Sequence, residues 1–386
     1  MTGKIGLPVF FIFLVLFIVV ALNVATASTI YVPENYTLIQ DAVDAASPGD
    51  TIIVREGTYE ENIEVYKRLT IRSENGSDST VVQAEYPDLP VFEVAADYVN
   101  LSGFTVKGAY EDHGIYLYSA DYCTISNNIC SENEEGILLI VSENNNISNN
   151  NCYLNNDSIS IFLSNSNNIS NNVCSDNVDD GIYLIMSNSN NISNNVCSDN
   201  GDDGIKLYMS DSNNISDNNS PANNFSISLT DSANNSVSGN VCSYSSVCGI
   251  FIAGSTNNSI SNNHGTYNYA GIGLMNSNDN SIFKNNCSEN DRGIFPVNAN
   301  NNDIYLNNFM NNDVNAGSSE SSNTWSSPSK ITYTYNGKTY TNNCLGNYWD
   351  DYSRSDRDKD GIGDSSHRID GDRDRYPLME PWGKYF

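Results

Sequence analysis

The sequence predicts an all-β fold, a parallel β-helix of stacked 22- to 23-residue coils, and three observations carry that prediction. Asparagine recurs at Asn128, Asn150, Asn172, Asn195, Asn218, Asn240, Asn263, Asn285 and Asn307, at steps of 22 or 23 residues throughout. Aliphatic columns keep the same phase: Ile125, Ile147, Ile169, Ile192, Ile215, Val237, Ile260, Ile282 and Ile304 stand three residues before each asparagine. Another column runs from Ile115 through Ile137, Ile159, Ile182, Ile205, Ile227, Ile250 and Ile272 to Ile294, followed two residues later by Leu117, Leu139, Ile161, Leu184, Leu207, Leu229, Ile252, Leu274 and Pro296. Between these lies a mixed column, Tyr116, Leu138, Ser160, Tyr183, Lys206, Ser228, Phe251, Gly273 and Phe295. Uniform aliphatics flanking a variable position are the period of two of a strand with one buried face. The third observation is composition. The repeats are β-branched residues, Ser and Asn with few helix formers, and they lack the Leu-x-x-Leu-x-Leu pattern of a leucine-rich repeat. Short strands stacked in register then make a β-solenoid, and nine coils at about 4.8 Å each span roughly 43 Å.

The elements follow in chain order. Lys4 precedes an apolar run from Ile5 to Leu22, and Ala25-Thr26-Ala27 has the small-x-small form of a signal-peptidase site. Residues 1–27 are therefore expected to be a signal peptide cleaved after Ala27, the alternative being an uncleaved membrane anchor. Either way the repeats lie outside the cell, secreted or at the surface. Residues 28–106 read as an N-terminal cap with the first irregular coils. Leu38, Ile39, Ala42, Val43 and Ala46 recur at helical spacing until Pro48-Gly49-Asp50 stops them, and such a helix covers the open end of the first coil. Strands follow at Thr51–Val54, Leu69–Ile71 and Leu101–Val106.

Residues 107–315 are the regular coils. Asn tolerates left-handed backbone angles, which suits a sharp corner, and stacked amides hydrogen-bond along a column, so the asparagines are expected to build the scaffold. Gly, or Ser at 158 and 226, precedes each isoleucine of the second column and is read as a tight corner. Cys130, Cys152, Cys174 and Cys197 share one inward column; free thiols, disulfides between neighbouring coils and a soft-metal stack are the three readings. Met186 and Met209, one repeat apart, are read as packing.

Two columns on these coils carry other chemistry. Glu135, Asp157, Asp180 and Asp203 stand just before the corner Gly or Ser. Roughly 5 Å between stacked carboxylates matches the spacing of retaining glycosidase pairs, but any stacked acid has that spacing, and solvated corners without differentiated environments are expected. If the protein is an enzyme, these four are its catalytic candidates, with Tyr116 or Tyr183 as sugar platforms. Asn146, Asn168, Asn191 and Asn214 each open an Asn-x-Ser sequon, are expected to face solvent and are the glycosylation candidates.

Residues 316–386 change texture into a C-terminal cap. Ile331–Tyr335 and Lys338–Thr341 alternate around Asn336-Gly337, the signature of a β-hairpin with a type I′ turn. Trp325, Tyr348, Trp349 and Trp382 supply aromatics to close the solenoid's end. Asp356-Arg357-Asp358-Lys359-Asp360-Gly361-Ile362-Gly363-Asp364 places oxygens at alternate positions before a glycine, as in the first half of an EF-hand. Ca²⁺ is the expected ion, held by Asp356, Asp358, Asp360, the Ile362 carbonyl and Asp364. His367 stands where an EF-hand has its bidentate Glu, and Asp370, Asp372 and Asp374 complete this site or form another.

The opening, Gln40-Asp41-Ala42-Val43, Pro48-Gly49-Asp50-Thr51-Ile52 and Gly57-Thr58-Tyr59, resembles the N terminus of pectin-lyase-like β-helix proteins. The tail, Gly346-Asn347-Tyr348-Trp349-Asp350-Asp351-Tyr352 through Asp358–Asp364 to Tyr376-Pro377-Leu378, is similar to the end of NosD-type β-helix proteins, which abound on archaeal cell surfaces. The resemblance implies a right-handed β-helix, and copper-site maturation as one inherited role. His113, His264 and His367 stand far apart, so copper handling is the most distant reading. With 47 acidic against 18 basic side chains and a net charge of -29, nucleic acid is excluded as a partner, and a membrane enters only through the N-terminal segment if uncleaved. The sequence therefore points to a surface β-helix with a structural, adhesive or carbohydrate-recognition role, its partners being cell-envelope polysaccharide or other surface proteins. The alternative is a polysaccharide lyase, hydrolase or epimerase working in a groove along the helix.

Overall fold

The computed structural model describes residues 27–386; the apolar run behind the leader-or-anchor alternative lies outside them. Among the described residues no helix is long and apolar enough to cross a membrane. The chain winds as an all-β solenoid of about 13 turns. Each regular turn contributes one short strand to each of three parallel sheets, of 14, 13 and 12 strands. One turn shows the plan: Thr124–Ser126 joins the 14-stranded sheet, Ile129–Ser131 the 13-stranded and Glu135–Ile140 the 12-stranded. Columns of the sequence are stacks in space, since Ile125 pairs with Ile147, Cys130 with Cys152, and Ile137 with Ile159. The interior is a single core of these aliphatics and cysteines running from the N-terminal helix to the C-terminal cap.

The asparagines at the corner do not themselves take the left-handed conformation. That falls one residue earlier, at Asn127, Asn149, Asn171 and Asn194, each with φ 57°. The turn made there swings the next asparagine inward, where it is buried and bonded three ways. Asn195 shows the pattern: its backbone N–H and its Nδ2 donate to Asn218 Oδ1 at 2.9 and 3.0 Å, and Nδ2 also donates to the Ile169 carbonyl at 2.9 Å. Two further ladders close the other corners. Asn145, Asn167, Asn190 and Asn213 lead one, five residues ahead of the first column, and Asn155, Asn177, Asn200 and Asn223 stand in the other, five residues behind it.

The glycines before the second isoleucine column are there for close approach, not for a turn. None of Gly136, Gly181, Gly204 and Gly271 has a positive φ. A Cβ at Gly181 would lie 2.5 Å from the Gly204 carbonyl oxygen, and one at Gly136 would lie 2.7 Å from that of Ser158. Ser158 stands in the same column, its hydroxyl donating to the Cys152 carbonyl at 3.0 Å.

At the N terminus the helix spans Ile39–Ala45 and buries Ile39, Ala42 and Val43. Leu38 stands outside this face, 46% exposed, because the helix begins after it and its backbone is extended. The Glu61 carboxylate accepts the N–H groups of Ile39 and Gln40 at 2.9 and 3.0 Å, satisfying the first orphan donors of the helix.

The ladder does not stop at Asn307. Asn347, forty residues on, takes the next rung, accepting from the Asn307 N–H at 3.0 Å and donating to the Ile304 carbonyl at 2.8 Å. Trp349 follows it inward and stacks on Phe309 at 4.6 Å, with Trp325 at 5.9 Å, closing the apolar end. The hairpin, Ile331–Tyr335 with Lys338–Asn343, turns at Asn336 and Gly337 with φ 49° and 75°. Tyr333 and Tyr335 pack on Tyr385 in a second small core.

Candidate functional site

The outward face of the 12-stranded sheet carries the mixed column, and there the Ser and Asn monotony of the coils breaks. At its upstream edge stand the four acids. The expectation of solvated corners is wrong for three of them: Asp157, Asp180 and Asp203 are buried, at 7%, 0% and 2% exposure. The physical reason is the ladder geometry. Asp157 Oδ1 accepts the Asp180 N–H at 2.8 Å and Asp180 Oδ1 accepts the Asp203 N–H at 2.9 Å, so the carboxylates copy the asparagine rungs. Glu135, longer by one methylene, turns out to the half-exposed His113 and bonds its Nδ1.

The environments of these acids also differ, against expectation. Burial pushes Asp157 up to about 6, with Ser160 Oγ donating to it at 3.3 Å. Burial raises Asp180 to about 7 although the Lys206 ammonium sits 3.0 Å away. Asp203 rises to about 8 through burial, with the Ser228 hydroxyl on one oxygen and no hydrogen-bond partner for the other among the described residues. Lys206 also reaches Asp202 at 3.1 Å and lies over the Tyr183 ring at 5.0 Å. Its importance was not read from the sequence. The available signal was that Lys206 is the single basic residue in the mixed column.

Further along the same face lies an apolar cleft of about 190 Å³, lined by Phe251, Tyr269, Gly273, Met275, Arg292 and Phe295. Gly273 makes its floor, since a Cβ there would lie 2.7 Å from Cys248 Sγ. The Arg292 guanidinium covers Phe295 at 4.2 Å and Tyr269 at 5.7 Å. Tyr116 and Tyr183, half-buried on this face, flank the acids at the other end.

The remaining candidates fall elsewhere. Asp356, Asp358 and Asp360 bring one carboxylate oxygen each within 4.8 Å of the others, a fit for a hard cation. Asp356 meanwhile accepts the N–H groups of Asp360 and Gly361, and Asp364 accepts Ser355 Oγ and the Arg357 N–H at 3.1 Å. Asp370, Asp372 and Asp374 do not join that loop. Asp370 takes the Ser318 N–H, Asp372 takes Trp325 Nε1, and buried Asp374 takes the Asn347 N–H at 2.7 Å and Trp349 Nε1 at 2.9 Å, so all three pin the cap. His367 stacks on Trp349 at 4.7 Å. The sequon asparagines Asn146, Asn168 and Asn191 are half-buried, and only Asn214 is exposed. They form an outer ladder, with Asn168, Asn191 and Asn214 each donating from Nδ2 to the preceding Oδ1 at 2.8 Å. All nine cysteines are free, and eight are buried. Met186 and Met209 are exposed at corners, not packed.

Comparison with known proteins follows this geometry. Residues 177–354 match the family described as "Periplasmic copper-binding protein (NosD)", and residues 92–240 match "Right handed beta helix region". A cell surface glycoprotein of Methanothermus fervidus is 33% identical over 125 residues, which are 31% of this chain and 20% of that protein. The chain thus spans about a fifth of that relative's length. Among solved structures, the Dettilon tailspike protein is similar at a TM-score of 0.63 and 16% identity, covering 80% of this chain and 72% of that one. DFA-IIIase from Arthrobacter chlorophenolicus A6 is similar at 0.57 and 14%, covering 68% and 85%. These likenesses speak to the fold. With the repeat, the three stacked sheets and these matches together, the chain is a right-handed β-helix repeat protein, similar over residues 177–354 to the NosD family.

Proposed function

We propose that this surface β-helix protein recognises carbohydrate along the outward face of its 12-stranded sheet, without turning it over. The observation that carries the reading is the aromatic cleft at Phe251, Tyr269 and Phe295 lying on the same straight face as Tyr116 and Tyr183. Aromatic rings set along a flat sheet suit the apolar faces of successive sugars, and the flanking carboxylates and Arg292 suit their hydroxyls. The acidic upstream half favours neutral or amino sugars over polyuronates, which like charge repels. A location at the cell envelope agrees with the glycoprotein relative and with the family's periplasmic description. Glycans on Asn146, Asn168, Asn191 or Asn214 belong to the same picture, tested by intact mass before and after deglycosylation. Ca²⁺ at Asp356, Asp358 and Asp360 is a structural ion in this reading, since carboxylates suit calcium better than copper.

A second reading, a polysaccharide-modifying enzyme, draws support from the unequal surroundings of Asp157, Asp180 and Asp203. A glycan array run beside a turnover screen separates the two. Binding that falls at least tenfold in Phe251→Ala or Phe295→Ala, with no product formed, supports recognition. Product formation lost in Asp180→Asn would replace it with the enzymatic reading, and neither binding nor product would remove both.

A further inference from the structure

We propose that Asp180, Asp202 and Asp203 form a site for a hard divalent cation, with the Lys206 ammonium as a built-in competitor that swings out when the ion arrives. Each of the three carboxylates offers one oxygen within 4.8 Å of the other two, about the span of two oxygens on opposite sides of one Ca²⁺ at 2.3–2.6 Å. The second observation is independent of that clustering. Asp203 is the last acid of the ladder: Asp157 and Asp180 each accept the backbone N–H of the next acid, whereas Asp203, paired with Phe225, accepts no backbone N–H from it. Asp203 Oδ1 is buried with no hydrogen-bond partner among the described residues, although Oδ2 takes the Ser228 hydroxyl. A buried oxygen without a partner is costly, and a cation beside it removes that cost.

Lys206 already holds a positive charge at this place, 3.0 Å from Asp180 and 3.1 Å from Asp202, but its ammonium does not satisfy Asp203 Oδ1. A divalent ion is within reach of all three carboxylates, whereas the ammonium bonds only Asp180 and Asp202. Access is from the outward face, where the Lys206 and Asp202 side chains are 26% and 37% exposed. Lys206 can leave along that face by rotating its flexible stem. Oxygen ligands select Ca²⁺ or Mg²⁺ over softer ions, and water fills the remaining positions. The site lies on the same face as the proposed sugar platform, beside Tyr183, and its calcium test does not depend on carbohydrate binding; it is separate from the C-terminal loop.

The test is calorimetric titration of the chain carrying Asp358→Asn and Asp360→Asn, which silence the C-terminal loop, with CaCl₂. One binding step is expected, weakened at least tenfold by Asp203→Asn and tightened at least threefold by Lys206→Met. A misfolded variant loses binding but does not gain it, so the lysine variant guards the result. If the loop substitutions disturb folding, the Lys206→Met effect is read on the otherwise unchanged chain. No calcium binding in the parent, or a Lys206→Met variant that binds no tighter, overturns the proposal.

Discussion

At the scale of the residue, the fold depends on amides that satisfy backbone and neighbours at once. Asn218 accepts from the Asn195 N–H and Nδ2 and donates to Asn240 Oδ1 and the Ile192 carbonyl. Asn218→Ala leaves those buried groups unpaired, and the expected loss is about 2–4 kcal/mol in urea unfolding. A loss below roughly 1 kcal/mol would show that the ladder is ornament to the packing. Gly181→Ala is expected to cost about 1–3 kcal/mol, because its Cβ meets the Gly204 carbonyl at 2.5 Å. Gly371→Ala, with nothing within 4 Å, is the neutral control in the same melting series. Thiol chemistry reads burial directly: about one equivalent should react with Ellman's reagent in the native state, at half-buried Cys344, and nine after denaturation.

At the scale of the element, the acid ladder makes stability depend on pH. Asp203 has a folded pKa of about 8 from burial, against about 3.9 for an unfolded aspartate. Between those values the native state holds the proton that the unfolded state has released, so stability is fullest below pH 4 and falls as pH rises toward 8. Asp157 and Asp180 act with the same sign over windows ending near 6 and 7. Lys206 stays charged throughout, because although burial pulls its pKa down, Asp180 and the other carboxylates more than offset that. With cations chelated, urea unfolding at pH 4.5, 6 and 8 should show the parent losing a few kcal/mol more than Asp203→Asn over that range. Parallel curves for the two proteins would mean that Asp203 is ionised in the fold at all three values.

At the scale of the whole molecule, the solenoid is only as sound as its ends. Asn347 and Trp349 seal the last coil and Asp374 holds both through buried hydrogen bonds. Asp374→Ala strips the Asn347 N–H and Trp349 Nε1 of their acceptor, and the expected outcome is exposure of the Phe309 end and concentration-dependent aggregation, followed by light scattering. A variant that stays monomeric on heating to the parent's transition would assign the seal to the aromatic stack alone.

The sequence by itself determined the period, the inward columns and the nature of both caps, because stacking converts a linear step of 22 or 23 residues into vertical neighbours and each column repeats its own environment. It also named the acids, the sequons and the Asp-rich loop. Only the tertiary structure decided what those residues meet. Asn347 joins the ladder across forty residues that have no period, which no local pattern reports. Asp157, Asp180 and Asp203 read as corner charges until the coil turned them under the edge of the sheet, where backbone N–H groups and Lys206 take the place of water. The left-handed turn falls at Asn127 and its equivalents, one residue before the ladder, since the backbone must turn before the amide can point inward. A repeat states which residues share a column; the direction each side chain takes follows from φ and ψ at the corner, and these emerge only when the coils close on one another.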